Sequence, residues 1–244
     1  MIQELLPYGV VGADVLTAPG PGPRPGPGAR PGPPPGPGTD RPGDGLLPAE
    51  RAALGEVAEG RRAEFTDVRR CARRALGELG LGAVPLIPDP DGVPGWPPGV
   101  LGSMTHCAGY RAAVVALTRS AHALGVDAEP CRPLRDGVLL TVSLPEERAR
   151  HADLARERPG PCWDRLLFCA KEAVYKAWFP PTRIPLGFRD VEVTFAPDGH
   201  TFGATVLRPA PAGGRREFTG RWLSRHGVLV AAVVVAGEGP GRPG

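Results

Sequence analysis

Glu172 has a lysine beside it, Lys171, and another four residues on, Lys176, within Phe168-Cys-Ala-Lys-Glu-Ala-Val-Tyr-Lys-Ala-Trp-Phe179. At about 100° per residue, Trp163, Leu166, Leu167, Ala170, Val174, Ala177 and Trp178 form one stripe, the mark of a helix packed on a core. Glu172 falls on the opposite face with Phe168, Tyr175 and Phe179, and Lys171 sits at the stripe's edge. An isolated Glu-x-x-x-Lys is commonly a solvated i,i+4 ion pair. Rings around the carboxylate argue instead that this second face also covers something, either protein or an organic ligand.

A second acidic set lies upstream in Ala123-Leu-Gly-Val-Asp127-Ala-Glu129-Pro130. Residues two apart on a strand point to the same face, so Asp127 and Glu129 repel unless a proton or cation sits between them. A hard cation such as Mg²⁺ is the natural partner, although a solvated strand end would also account for a lone Asp-x-Glu. Upstream again, a helical stretch carries Arg61, Arg62, Arg69, Arg70, Arg73 and Arg74. Arg61 and Arg69 differ by about 80° around the axis and can reach toward one side two turns apart. A basic surface helix explains them; so does a clamp on phosphate. His106 at a strand end is by itself commonly structural.

Stepping outward, the elements that must hold these groups can be read in order. Residues 1–18 read as a short ordered or half-ordered leader. The 35 glycines and 32 prolines are in excess, and many of them lie in residues 19–45, a tract without a three-residue period that reads as a disordered linker or insertion. Helical periodicity runs from Pro48 until Gly80 and Gly82 stop it. Val100–His106 and Tyr110–Leu117 read as strands about a Gly109 turn, and residues 123–130 as a third. Ser143-Leu-Pro-Glu146 is a helix-start signature opening a helix to about Arg156. Strands follow at 191–195, 201–207, 218–223 and 228–235, with Asp-Gly, Gly-Gly and His-Gly turns between them. This order predicts an α+β protein of two similar halves, 46–122 and 123–238.

A net charge of +3 leaves no global field for nucleic acid or an anionic membrane. Five cysteines without Cys-x-x-Cys spacing speak against zinc or a disulfide framework and for reduced, cytoplasmic thiols. No basic leader with a long apolar run is seen, and the apolar run 228–236 is too short to span a bilayer.

Gly102-Ser103-Met-Thr105-His106-Cys, Gly125-Val-Asp127-Ala-Glu129 and Phe168-Cys-Ala-Lys171-Glu172-Ala-Val-Tyr175-Lys176-Ala, in that order, resemble the motifs of the 4'-phosphopantetheinyl transferases of the enterobactin-synthetase component D type. Arg61-x-x-x-Phe65-x-x-x-Arg69 also looks like that group, and the likeness runs from about Leu46 to Ala236. It implies a pseudo-dimer of two α/β halves with coenzyme A in the cleft between them. It also implies Mg²⁺-dependent transfer of the phosphopantetheine arm to a serine of an acyl- or peptidyl-carrier protein, releasing adenosine 3',5'-bisphosphate. Asp127, Glu129 and Glu172 would be metal ligands, Lys171 and Lys176 would stabilise phosphate charge, and Glu172 would be the candidate base. Arg61, Arg69 and His106 would contact coenzyme A phosphates, with Ser103 and Thr105 adding hydroxyls and Phe168 and Tyr175 lining the pantetheine arm. A chain that already contains two halves is expected to act as a monomer. Relatives often carry a basic residue before the Trp-Pro pair, where this chain has Pro88 and Asp91 ahead of Trp96-Pro97. Two rival readings stand beside this one: a non-catalytic interaction protein using the Pro/Gly tract, and another Mg²⁺-dependent phosphoryl-transfer enzyme, which the lack of a Gly-x-x-x-x-Gly-Lys-Ser/Thr loop disfavours.

Overall fold

A computed structural model describes residues 1–17, 45–196, 199–209 and 214–237. The Pro/Gly tract lies outside the described residues. Among the described residues the fold is α+β, with two antiparallel sheets and five α-helices. The strands are β1 (Val10–Leu16), β2 (Val100–Cys107), β3 (Tyr110–Leu117), β4 (Ala121–Pro130), β5 (Val191–Phe195), β6 (Thr201–Val206), β7 (Glu217–Arg225) and β8 (Val228–Ala236). The helices are α1 (Pro48–Leu54), α2 (Glu59–Glu78), α3 (Val138–Val142), α4 (Pro145–Glu157) and α5 (Trp163–Thr182). The first sheet has strand order β1-β3-β2 and the second β4-β8-β7-β6-β5. The order first strand, last strand, penultimate strand thus occurs in both.

Each long helix buries its apolar stripe on one sheet. In α2 the buried Cys71, Ala72, Ala75 and Leu76 pack with Ala13, Ala113 and Val115. In α5, Leu166, Ala170, Val174 and Trp178 pack with Val193, Leu229 and Ala231, and each fully buried Leu or Val contributes roughly 1.5–3 kcal/mol. A third cluster joins the two sheets through Val10, Ala112 and Val114 on one side and Val126, Ala128 and Val230 on the other.

Between β2 and β4 no backbone ladder forms, and hydroxyls do the bridging. Ser103 Oγ accepts from the Val126 N–H and Thr105 Oγ1 from the Ala128 N–H, both at 3.0 Å. At Gly125 the chain needs glycine because α5 lies against the strand: a Cβ there would sit 1.9 Å from the Ala173 carbonyl oxygen. That close approach brings the polar face of α5 to the β2–β4 seam.

Several expectations change. The leader is ordered over residues 1–16: Ile2 and Leu5 are buried and β1 pairs with β3 along its whole length, burying Val10 and Ala13. The helical stretch from Pro48 is two helices, broken where Gly55 takes φ +63°. The helix-start signature is shifted by one residue: Glu147, not Glu146, accepts the N–H of the capping Leu144, while Ser143 donates back to Leu139 at the end of the unexpected α3. No helix among the described residues is long and apolar enough to cross a membrane.

Candidate active site at the seam of the two sheets

Lys176 projects from α5 into the seam. Its ammonium donates to Asp127 Oδ1 at 2.7 Å, to the Val126 carbonyl at 3.1 Å and, across the gap, to the Met104 carbonyl at 3.4 Å. Burial by itself would favour loss of its proton, but the Asp127 charge and hydrogen bond outweigh it and hold the pKa above the ordinary lysine value. Asp127 also accepts from the Thr105 hydroxyl at 3.2 Å, which leaves Oδ2 buried and without a hydrogen-bond partner. Glu129, two residues on, takes Arg165 of α5 at 3.0 Å. Burial, reinforced by Asp127, raises the Glu129 carboxyl despite that arginine. Glu172 is raised as well, by burial and then by Asp127 and Glu129, with Lys176 opposing. The three carboxylates therefore feel one another across the seam.

They do not form a ready ligand set: among the described residues no three His, Cys, Asp or Glu side chains are grouped to hold an ion. The cause is local, since Lys176 draws Asp127 Oδ1 and Arg165 draws Glu129. Even so, the donor set fits a hard divalent ion. It offers an orphaned, buried carboxylate oxygen and two further carboxyls whose charge is disfavoured by burial and mutual repulsion, which a cation would relieve.

Two cavities flank Glu172 and Tyr175. One, about 150 Å³, is lined by Lys171, Leu186, Phe188 and Val191 as well. The other, about 260 Å³, runs between Ser103–Met104, the 91–94 loop and Phe179. The rings on this face are stacked in pairs, Phe168 on Phe188 at 5.2 Å and Tyr175 on Phe179 at 5.3 Å. The acidic loop that replaces the expected basic residue is tied to the end of α5: Arg183 binds Asp89 at 2.6 Å and Asp91 at 3.2 Å.

A basic group lies at the far end of β2. Arg61 reaches His106 Nε2 at 3.4 Å, and both approach Glu64, at 3.9 and 3.4 Å. Arg111, directly opposite His106 in the β2–β3 register, adds a second guanidinium 3.8 Å from the same glutamate. Burial and the nearby cations lower the His106 pKa against the pull of Glu64, disfavouring its charged form.

Two of the residues expected at phosphate have protein partners. Arg69 is turned inward, donating to the Leu86 carbonyl at 2.9 and 3.1 Å and lying over the Phe65 ring, and burial lowers its pKa to about 10. Lys171 is enclosed between Glu147 at 2.7 Å and the Phe188 carbonyl at 2.8 Å. Ser103 and Thr105 likewise direct their hydroxyls at β4. Arg165 and Arg111 were not singled out by sequence; the signals were their places seven residues before Glu172 on the same helix face and across the Gly109 turn from His106.

Residues 49–116 match the 4'-phosphopantetheinyl transferase N-terminal domain, and residues 123–223 match the 4'-phosphopantetheinyl transferase superfamily. The chain therefore belongs to the 4'-phosphopantetheinyl transferase family. It is 52% identical over 204 residues to the 4'-phosphopantetheinyl transferase Svp of Streptomyces mobaraensis, covering 81% of this chain and 83% of that one. To the 4'-phosphopantetheinyl transferase PptT of Mycobacterium tuberculosis it is 43% identical over 205 residues, 81% of this chain and 89% of the other. Enterobactin synthase component D of Salmonella typhi is 34% identical over 175 residues, 71% of each chain.

Proposed function

We propose that this chain moves the 4'-phosphopantetheine arm of coenzyme A onto a serine of an acyl- or peptidyl-carrier protein, in a cleft between two halves related as a pseudo-dimer. The observation that carries the reading is the β2–β4 seam, where Lys176, Asp127 with its orphaned oxygen, Glu129 and Glu172 meet beside two cavities. The serine oxygen attacks the phosphorus that bears the pantetheine. The bond to the bridging oxygen breaks, and adenosine 3',5'-bisphosphate leaves. The Glu172 carboxylate, whose affinity for a proton is raised by burial and by Asp127, accepts the serine proton. Lys176 donates to the phosphate oxygens as charge builds on the bridging oxygen. Arg61 and His106, with Arg111 beside them, receive the 3'-phosphate, and the cavity beside Tyr175 and Phe168 receives the pantetheine arm.

Asp127, Glu129 and Glu172 would hold Mg²⁺, which when bound neutralises pyrophosphate charge. A ligand bound only by the folded state stabilises it, by about 2.7 kcal/mol at a hundred times its dissociation constant. Mg²⁺ is thus expected to raise the wild-type Tm in a thermal melt, and Asp127→Ala to shift the Mg²⁺ titration of both Tm and turnover to higher concentration; superimposable titrations would remove Asp127 from the ligand set. The protein acts as a cytoplasmic monomer, its arginines docking the acidic helix of the carrier. Mass spectrometry of apo-carriers incubated with enzyme, coenzyme A and Mg²⁺ tests the reaction. A gain of one phosphopantetheine on the carrier serine is expected, and unmodified fatty-acid, polyketide and peptide carriers would overturn the assignment.

A further inference from the structure

Two helices of this protein open on the same phrase, Leu47-Pro-Ala-Glu50-Arg51 in α1 and Leu144-Pro-Glu-Glu147-Arg148 in α4. Their surroundings repeat too. Glu50 is fully buried and Glu147 is 3% exposed, and each sits at the third helical position. Each accepts the N–H of its own capping leucine, Leu47 at 3.0 Å and Leu144 at 2.7 Å. A backbone N–H from far along the chain also reaches each carboxylate, Leu86 at 3.0 Å on Glu50 and Val193 at 2.7 Å on Glu147. The following arginine folds back on the carbonyl five residues before it in both, Arg51 on Leu46 and Arg148 on Ser143. The long helix behind then supplies the cation: Arg69 of α2 at 3.7 Å from Glu50, with Arg73 at 2.8 Å, and Lys171 of α5 at 2.7 Å from Glu147. Arg69 and Lys171 each donate onward to the carbonyl 17 residues ahead, Leu86 and Phe188.

We infer that Lys171 is a positioning residue: through it the buried Glu147 pins the rotation of α5, as the buried Glu50 pins α2 mainly through Arg73. Lys171 acts on the reaction only through where it sets Glu172 and Lys176. The inference rests on the transferase reading of the site but not on which carrier is modified. The physical ground is enclosure. The Lys171 ammonium is held by a carboxylate and a carbonyl with 1% of its side chain exposed, and drawing it toward a phosphate would leave the buried Glu147 without its cation, at a cost far above that of a surface pair. By contrast Lys176 keeps 28% of its side chain exposed.

Lys171 and Lys176 are the only lysines in the sequence, which makes the first test direct. The folded wild-type protein is treated with an amine-acetylating reagent, with and without coenzyme A, and the α5 peptide is read by mass spectrometry. Lys176 is expected to be acetylated in the free protein and protected by coenzyme A, while Lys171 stays unmodified in both and reacts only after unfolding. Acetylation of Lys171 in the folded protein that coenzyme A suppresses would overturn the inference. The second test measures kcat, the KM for coenzyme A and Tm for Lys171→Met, and for Lys171→Met combined with Glu147→Gln, which removes both charges and keeps one of the two oxygens that accept from Leu144 and Val193. The single variant is expected to lose Tm and at least tenfold in kcat, and the double to regain part of both, with KM within about twofold of wild type throughout. A double variant with restored Tm but a tenfold higher KM, or a kcat no better than the single variant's, would return Lys171 to the phosphates. Wild-type protein that leaves every apo-carrier unmodified while Lys171 remains inert would sink the transferase reading and support the pinning.

Discussion

Glu172→Gln is expected to lower kcat by about 10²- to 10⁴-fold, the range for loss of a positioned general base, while the protein melts at or slightly above the wild-type temperature. The two halves of this expectation come from the same observation. Glu172 is raised by burial and by Asp127 and Glu129, so the fold disfavours its charged form, and a neutral isostere relieves that repulsion. Chemistry loses what stability gains. The amide cannot take the serine proton, and it is a poorer ligand for a hard cation. Because Gln keeps the shape, the cavities beside Tyr175 persist, and the KM for coenzyme A should move far less than kcat. Steady-state transfer kinetics beside a thermal melt decide it. Wild-type turnover would strip Glu172 of its role, and a collapsed Tm would show that the carboxylate holds the fold rather than the reaction.

How much of this was legible beforehand depended on how local the signal was. The hairpin β2–β3 and strands β5 to β8 follow from alternation and turn residues within a few positions, and their expected bounds lie within two residues of those found. β1 was missed because its partner β3 is about a hundred residues away, so nothing near Val10 announces pairing. The helix α3 is five residues long, too short for periodicity to register. In the site, Lys176 and Glu172 stood out because charges on a ring-lined helix face break the expected pattern. Lys171 and Arg69 carry charge on the same two helices, and there sequence alone is silent about the partner: a cation beside an apolar stripe reads the same whether it serves a ligand or a buried carboxylate. The deciding partner, Glu147 or Glu50, comes from another helix. The repeated Leu-Pro-x-Glu-Arg phrase is the sequence signal that would have exposed both.

Gly125→Ala should be a strongly disruptive change for a single added methyl group. A Cβ at 125 would fall 1.9 Å from the Ala173 carbonyl oxygen and 2.6 Å from the Ala177 backbone nitrogen, and neither can rotate aside because both are α5 backbone. Ordinary contact is about 3.5 Å, so the helix must withdraw by roughly an ångström and a half or β4 must bow. Neither is easy: β4 is held by β8 along its length and by the Ser103 and Thr105 hydroxyls on its other side. Overpacking of side chains costs ~1–3 kcal/mol, and backbone against backbone belongs at or beyond the top of that range. For a chain of this size the Tm should fall by about 6–12 °C. The same withdrawal pulls Lys176 from Asp127 Oδ1 and from the Val126 carbonyl, contacts of 2.7 and 3.1 Å, so kcat should drop by about 10²-fold even where the protein is folded. Gly203→Ala is the matched control, since a Cβ there meets nothing within 4 Å. It should melt and turn over like the wild type. If Gly125→Ala did the same, the close approach of α5 to β4 would not be what brings the lysine to the acids, and the geometry proposed for the reaction would lose its support.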